Sequence, residues 1–280
     1  MREIDAKLIE GTVKELCINA NCHLPSDVRS CIISARNKEN WAGAKGILDR
    51  IEENFVIADE NNVPICQDTG VACVFLTIGQ DVSVKGGSIA DAVNEGVRQG
   101  YTQGYLRKSV VGDPIRRVNT GDNTPAMIYY DIVPGDTFEI TVAPKGFGSE
   151  NMSKIQMLKP SDGLEGVKRF IIRCVEEAGP NPCPPIMVGV GIGGTFDKCA
   201  YLAKRALLRD AGAKNSDPFY AALEDELLEE INALGIGPQG LGGRTTALKV
   251  SIEAMPTHIA GLPVAVNINC HVARHASARL

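Results

Sequence analysis

The sequence has few aromatic residues, no long apolar run and no excess of positive charge, and each absence excludes a class of protein. Aromatic residues make up 5% of the 280 residues, and the formal net charge is −5. The chain therefore offers neither a platform for base stacking nor a basic surface for phosphates. No run approaches the roughly 18 apolar residues of a membrane span, and residues 1–5 form no apolar signal segment. We expect a cytoplasmic protein that binds neither nucleic acid nor membranes.

The chain also lacks the compact cysteine spacings of zinc sites. It has nine cysteines but no C-x2-C pair. An odd number without a secretion signal indicates reduced thiols, metal ligands or nucleophiles rather than a disulfide framework. Cys17, Cys22 and His23 come closest to a cluster, but Cys17 falls on the apolar face of a predicted helix, which favours a structural role. Four others lie in apolar contexts and are expected in the core: Cys31, Cys73, Cys174 and Cys199.

Hydrophobic residues make up 44% of the chain, enough for a sizeable core. Their periodicity predicts helices over residues 3–20, 26–36, 41–54, 88–106, 164–178, 195–210 and 216–234. It predicts strands around Val56 and over 71–78, 126–133, 137–142, 186–188, 246–251 and 261–268. No repeat, low-complexity tract or charged linker divides the chain. We therefore predict one domain of mixed α and β class (α/β to α+β) over residues 1–280.

Three local patterns refine this prediction. The turn Pro134-Gly135-Asp136 between two strands indicates a hairpin. Residues 224–230 are expected to form a solvated acidic helix face. Residues 189–194 read G-x-G-x-x-G after a strand and before a helix, which formally matches a dinucleotide site. Because Asp210 falls inside or at the end of the following helix, a backbone nest that binds a carboxylate, or merely packs tightly, is the more economical interpretation.

A short turn concentrates reactive side chains. Cys66-Gln67-Asp68-Thr69-Gly70 places a thiol, an amide and a carboxylate side by side before an apolar strand, where all three can face one cleft. The alternative is a buried cysteine followed by ordinary turn residues.

Two further loops have features of a binding site. The glycine-rich loop 144–153 contains Gly148-Ser149-Glu150-Asn151 and can expose backbone amides to an anion, or it is simply a flexible strand connection. Cys183 lies among prolines that fix the backbone, and rigidity suits a ligand.

These segments together resemble one family. The 66–70 turn, Leu106-Arg107 with Asp113-Pro114, the Gly148 loop, Cys183-Pro184-Pro185, residues 235–246, and Gly261-Leu262-Pro263-Val264 leading to Cys270 look like the iron–sulfur class I fumarase and tartrate dehydratase family. The match covers nearly the whole chain. It is most similar to the alpha subunit of the two-subunit forms, because single-chain relatives continue into a further domain.

The resemblance implies a chemistry and its residues. Cys66, Cys183 and Cys270 would hold a [4Fe–4S] cluster whose fourth iron has no protein ligand and acts as a Lewis acid. The expected reaction is reversible hydration of fumarate to L-malate, with dehydration of L-tartrate to oxaloacetate as the alternative. Outside this class, a non-catalytic cluster carrier or a nucleotide-binding oxidoreductase using residues 189–194 stays open.

The resemblance also implies roles around the substrate. Gln67 and Asp68 would face it, Arg107 would bind a carboxylate, Gly148 would lend backbone donors, and His258 would hydrogen-bond the substrate region; Asp68 and His258 are the candidate catalytic residues. Each has a structural alternative: Asp68 as a turn residue, Arg107 as a helix C-terminal charge and His258 as a satisfied histidine. The expected partners are a dicarboxylate and a separate beta subunit in an α2β2 heterotetramer.

Overall fold

The computed structural model describes residues 1–280. Its helices are α1 (Ala6–Cys22), α2 (Ser26–Lys38), α3 (Ala42–Asn61), α4 (Ile89–Gln103), α5 (Phe147–Glu150), α6 (Gly163–Ala178), α7 (Phe196–Ala206) and α8 (Pro218–Ala233). Its strands are β1 (Arg2–Asp5), β2 (Val71–Gly79), β3 (Val82–Lys85), β4 (Met127–Val133), β5 (Phe138–Lys145), β6 (Lys154–Leu158), β7 (Ile186–Gly194), β8 (Ala247–Thr257), β9 (Leu262–Asn269) and β10 (Ala276–Arg279). The predicted mixed α and β class is confirmed. No helix has both the length and the apolar character that crossing a membrane requires.

The chain divides into two compact units, each made of segments that are distant in sequence. The first unit contains Met1–Pro25, Phe55–Phe147 and Arg274–Leu280. The second contains Ser26–Asn54 and Gly148–Ala273. Each unit has its own four-stranded sheet and its own buried core. The expectation of a single domain over the whole chain stays a prediction.

The first unit is built around β2. Its sheet has the order β10-β5-β2-β4, in which β2 runs parallel to β4 and antiparallel to β5. Seven of its nine residues are buried, which explains why the sequence of β2 is apolar without alternation. Helix α1 packs against α4 and β5, and the core between them includes Ile9, Val13, Tyr101 and Phe138.

The predicted hairpin around residues 134–136 is wrong. Strands β4 and β5 do flank this turn, but β2 lies between them and pairs with both. The backbone carbonyls of this turn instead accept hydrogen bonds from the end of β2 and the residues after it. Asp81 N donates to Gly135 O at 2.9 Å, and Gly79 N donates to Thr137 O at 2.7 Å. Because β2 is apolar on both faces, inserting it at the centre buries more surface than pairing β4 with β5 directly.

The second unit is built around β7. Its sheet has the order β6-β9-β7-β8, in which β7 runs parallel to β8 and antiparallel to β9. The glycines of residues 189–194 belong to this strand and form no loop. A Cβ added at Gly189 would lie 2.2 Å from Ala203 O, and one at Gly191 would lie 2.1 Å from Cys199 O. These glycines therefore let α7 lie close against the strand, and the dinucleotide interpretation fails because no loop is left to hold a pyrophosphate.

Two smaller expectations also change. Helix α3 continues through Val56, where a strand was expected.

Glu224 is only 3% exposed, although it begins the stretch expected to be a solvated acidic face. Its carboxylate accepts hydrogen bonds from Arg209 Nη2, Asn215 Nδ2 and Ile252 N. Glu224 thus ties α8 to β8 within the second unit, which a charge pattern alone does not reveal.

Candidate active site

Strand register brings four loops of the second unit to one sheet edge. The N-terminal ends of β7 and β8 and the C-terminal end of β9 lie together, because β7 is parallel to β8 and antiparallel to β9. The N-terminal end of β6 joins them, since β6 is antiparallel to β9. This edge therefore carries Cys183 before β7, residues 235–246 before β8, Cys270 after β9 and the Gly148 loop before β6.

Cys183 is held at this edge in an unfavourable backbone conformation. It is exposed and has a φ of 54°, in the left-handed region that residues with a Cβ rarely adopt. His271, the residue after Cys270, fixes the backbone of Cys183. Its backbone N lies 3.4 Å from Cys183 O and its Nδ1 lies 2.9 Å from the same oxygen. Gln239 donates from its backbone N and its Nε2 to Pro184 O, both at 2.8 Å. The segments that carry Cys183 and Cys270 are thus in direct contact.

The Gly148 loop is anchored to the same edge by a polar network. Lys204 Nζ lies 2.6 Å from Glu150 Oε1, and Asn267 Nδ2 donates to Glu150 Oε2 at 2.7 Å and to Ser153 Oγ at 2.8 Å. Gly148 itself is exposed, and a Cβ added there would approach only Asn181 O, at 3.7 Å. The backbone at Gly148 is therefore accessible without the fold requiring a glycine.

In the first unit, register again gathers the candidate residues at one edge. The N-terminal ends of β2, β4 and β10 lie there with the C-terminal end of β5. The 66–70 turn precedes β2, Asn123 precedes β4, Arg274 precedes β10, and Phe147 follows β5. This edge therefore carries the thiol, amide and carboxylate recognised in the sequence.

Buried side chains hold the backbone carbonyls of the 66–70 turn. The hydroxyl of Tyr101, which is fully buried, lies 2.8 Å from Thr69 O and 3.1 Å from Gly70 O. Burial raises the pKa of Tyr101, so this hydroxyl stays protonated and can donate. Asn123 Nδ2 donates to Gly70 O at 3.1 Å, and Arg274 Nη2 donates to Asp68 O. Three successive carbonyls are thus fixed from the protein interior.

The side chain of Asp68 is also engaged. Its Oδ1 accepts a hydrogen bond from Gly70 N and its Oδ2 accepts one from Phe147 N, both at 3.0 Å. The first bond is the turn interaction expected as the alternative role of Asp68, and the second ties the turn to the end of β5. Each oxygen keeps lone-pair capacity for a further donor.

Gln67 and Arg107 present their side chains at the surface. Gln67 is exposed, and its Oε1 lies 3.5 Å from Cys66 Sγ. Arg107 is also exposed, four residues beyond the end of α4, and not at the helix terminus that the sequence predicted. Its carbonyl accepts a hydrogen bond from Thr69 Oγ1 at 3.1 Å. The turn therefore fixes the backbone of Arg107 and leaves its guanidinium accessible.

His258 is not placed with Cys270. It lies exposed in the connection between β8 and β9, where Ala260 N donates to its Nδ1 at 3.2 Å. Cys270 follows the other end of β9, and the eight residues of that strand span about 27 Å. Within this chain His258 therefore belongs to the opposite edge of the second sheet, and its catalytic role stays a prediction.

The sequence matches a known family over almost its full length. A family profile described as "Fumarate hydratase (Fumerase)" matches residues 10–279. The chain belongs to the fumarate hydratase family. The expectation drawn from the sequence motifs is thereby confirmed, and with it the enzyme class, a hydro-lyase.

Three relatives show how the family resemblance is distributed. A protein of Methanocaldococcus jannaschii named "Putative L(+)-tartrate dehydratase subunit alpha" is 46% identical over 277 residues, which is 97% of each chain. A protein of Escherichia coli strain UTI89 named "L(+)-tartrate dehydratase subunit alpha" is 34% identical over 261 residues, which cover 92% of this chain and 86% of the relative. A protein of Shigella sonnei with the same name is 33% identical over 258 residues, which cover 91% of this chain and 84% of the relative.

The cysteines of this family member can be compared as possible cluster ligands. None forms a disulfide, and five are buried: Cys17, Cys22, Cys73, Cys174 and Cys199. Burial raises the pKa of Cys17, Cys174 and Cys199 to about 12, which makes them poor metal ligands. Burial also raises the pKa of the half-buried Cys31, which the sequence placed in the core.

The three predicted cluster ligands differ from these in exposure and position. Cys66 and Cys270 are partly exposed, Cys183 is exposed, and all three lie on loops at sheet edges. No group of three or more His, Cys, Asp or Glu side chains is arranged to hold a metal ion. Cys66 belongs to the first unit, and Cys183 and Cys270 belong to the second. The residues fit an iron–sulfur cluster in donor type and exposure, and their joint ligation stays a prediction.

Sequence reasoning missed the residues that hold the site loops. Tyr101, Asn123 and Arg274 were not singled out, and His271 was not recognised as the contact to Cys183. Asn123 offered a weak local signal, because it sits among Asn, Thr, Gly and Asp residues that are typical of turns. Arg274 offered none, since its partner Asp68 lies 206 residues away in the sequence.

Proposed function

We propose that this chain is the cluster-binding alpha subunit of an L(+)-tartrate dehydratase. The 46% identity to a relative of that name, over 97% of both chains, carries the choice of substrate. Relatives from two bacteria with the same name support it. Sequence motifs alone placed fumarate hydration first. It is now the second candidate, and the family description supports it.

Both candidate reactions need the same site chemistry. Each adds or removes water across C2 and C3 of a four-carbon dicarboxylate. With tartrate, loss of one hydroxyl and of the proton on the neighbouring carbon gives an enol that becomes oxaloacetate. An iron–sulfur cluster with an open iron supplies, when bound, the Lewis acid that makes hydroxide a workable leaving group. Cys66, Cys183 and Cys270 would hold it.

The first unit's edge binds and orients the substrate in this proposal. The exposed guanidinium of Arg107 can form two parallel hydrogen bonds with one substrate carboxylate. Gln67, exposed beside Cys66, can hydrogen-bond a substrate oxygen. Asp68 keeps the turn in register through Gly70 N and Phe147 N, and its remaining lone pairs can accept from a substrate hydroxyl. On the edge of the second unit, the accessible backbone of Gly148 can donate to a substrate oxygen.

A second protein is part of the proposal. A dicarboxylate has two anionic ends, and Arg107 accounts for one of them. Three cations flank the glycine-rich loops: Lys154 is already paired with Glu177, whereas Lys159 and Arg244 are exposed. The relatives are named as alpha subunits, and we propose that a beta subunit binds the far carboxylate. The α2β2 assembly and the cytoplasmic location stay predictions.

A substrate panel tests the proposal. The chain is produced with its partner, reconstituted anaerobically with iron and sulfide, and assayed with L(+)-tartrate, D(−)-tartrate, fumarate and L-malate. We expect kcat/KM for L(+)-tartrate to exceed that for fumarate by at least about tenfold, a difference that one substrate hydroxyl can supply. The isolated chain should be nearly inactive. A preference for fumarate would establish the second candidate, and a chain that takes up no iron would overturn both.

A further inference from the structure

Arg274 is a buried guanidinium without an anionic partner. It lies just before β10 and is only 4% exposed. Its Nη2 donates to the backbone carbonyl of Asp68, while its Nε and Nη1 make no hydrogen bond at all. Burying a charge is costly unless it is paired and fully hydrogen-bonded, so such a group is rarely kept for stability alone.

No carboxylate forms an ion pair with the guanidinium of Arg274. Two titratable neighbours of Arg274, Cys22 and Tyr101, are neutral at physiological pH because burial raises the pKa of both. The carboxylate of Asp68 is used by Gly70 N and Phe147 N, and Arg274 contacts only the backbone of that residue. The buried guanidinium of Arg274 is therefore without an ion pair.

One residue of the same turn gains a negative charge when it acts. Cys66 is two residues before Asp68, and a cysteine binds iron as its thiolate. We propose that Arg274 is a positioning residue for the cluster: it fixes the 66–70 turn through Asp68 O and balances the charge that this turn acquires when Cys66 binds iron. The inference rests on the proposed cluster function and concerns how the chain retains the cluster, whichever substrate it uses.

Replacing Arg274 should have opposite effects on the metal-free and on the cluster-loaded protein. An ordinary structural role does not predict this difference. In the metal-free protein an unpaired buried charge is destabilising, so replacing Arg274 by methionine should leave the melting temperature unchanged or raise it. In the loaded protein the same change removes the balancing charge. Substitution of groups that support metal ligands typically weakens metal affinity by about 10- to 100-fold.

The experiment uses the full chain and three variants. Arg274→Met removes the charge at similar length, Arg274→Lys keeps the charge but loses the planar fork, and Tyr101→Phe removes a neighbouring support without changing charge. Melting temperature is measured without metal. After anaerobic reconstitution, iron and sulfide content are measured, followed by the rate of iron loss to a chelator.

The expected pattern is specific. Arg274→Met should melt no lower than the unchanged chain yet lose iron about 10- to 100-fold faster, and Arg274→Lys should lie between them. Tyr101→Phe should melt lower and lose iron more slowly than Arg274→Met, because Tyr101 supports the turn but carries no charge. Equal iron loss in Arg274→Met and the unchanged chain would overturn the inference, as would equal acceleration in Tyr101→Phe. An unchanged chain that takes up no iron would instead overturn the proposed function on which the inference rests.

Discussion

The two sheet edges carry their site loops by different means. In the first unit the 66–70 turn is held from the interior, by Tyr101, Asn123 and Arg274. In the second unit Cys183 is held by the backbone and side chain of His271, and its φ of 54° costs about 1 kcal/mol or more. The first edge is therefore shaped before any ligand arrives, whereas the second keeps a strained residue that a bound metal would help to hold.

Removing one thiol at a time gives the largest expected effect. Cys66→Ser, Cys183→Ser and Cys270→Ser should each abolish cluster retention, because a hydroxyl does not replace a thiolate as an iron ligand. Cys31→Ser and Cys174→Ser serve as controls and should retain the cluster. Iron and sulfide per chain are the measurement, and near-normal content in any of the first three variants would remove that residue from the ligand set.

The rate of thiol alkylation compares the cysteines at the two sheet edges with the cysteines buried in the cores. A thiol whose pKa is raised to about 12, such as Cys17, Cys174 or Cys199, carries roughly a thousandfold less thiolate at pH 8 than a free cysteine. In the native metal-free chain, iodoacetamide should therefore label Cys66, Cys183 and Cys270 first. Because the pKa values of the buried thiols are raised, these thiols should stay protected at every pH well below 12. Peptide mass spectrometry over time measures the order, and early labelling of Cys17 would contradict it.

A pair of glycine substitutions separates fold from function. Gly70 has a φ of 74°, and a Cβ there would lie 2.7 Å from the Lys145 backbone, so Gly70→Ala should cost about 3 kcal/mol of unfolding free energy. Gly148→Ala meets nothing closer than 3.7 Å and should change stability by less than about 0.5 kcal/mol. We expect Gly148→Ala to raise KM instead. Urea unfolding of the metal-free chains and steady-state kinetics measure the two effects; equal losses of stability would refute the distinction.

The smallest expected effect comes from Arg107→Lys. An ammonium cannot reproduce the two parallel hydrogen bonds of a guanidinium to a carboxylate, so kcat/KM should fall by about tenfold. Since only the backbone of Arg107 contacts the 66–70 turn, the iron content should stay unchanged. Unaltered KM and kcat would exclude Arg107 from substrate binding.

Local patterns predicted most of the fold, and pairing between distant segments explains what they missed. The helices with clear apolar stripes were found, although α4 ends three residues before the predicted end at Leu106. The apolar run of β2 correctly indicated a buried strand. The hairpin failed because a turn signal shows that the chain reverses, and does not show whether a third strand fills the gap. Helix α3 continues through Val56, where the local apolar run predicted a strand.

The sequence predicted the loops that carry the candidate site residues. It did not predict the side chains that hold these loops in place. The order of the 66–70 turn, the Gly148 loop, Cys183 and Cys270 was enough to identify the family. The supports were not predicted because the partners of Tyr101 and Arg274 lie 31 to 206 residues away in the sequence. His258 was expected near the substrate, yet a strand of about 27 Å separates it from Cys270 within the chain.

The bond from Arg274 to Asp68 has a consequence for the order of events during folding. It closes a loop of 206 residues, and β10 pairs with β5 across 134 (276 − 142) to 140 (279 − 139) residues. Contacts of such long range form slowly, because the entropy of loop closure is lost before the contact can compensate for it. The turn that carries Cys66 should therefore reach its final geometry late, only after residues 274–279 have been synthesised. We expect iron and sulfide to enter a chain that has already folded, not a nascent one.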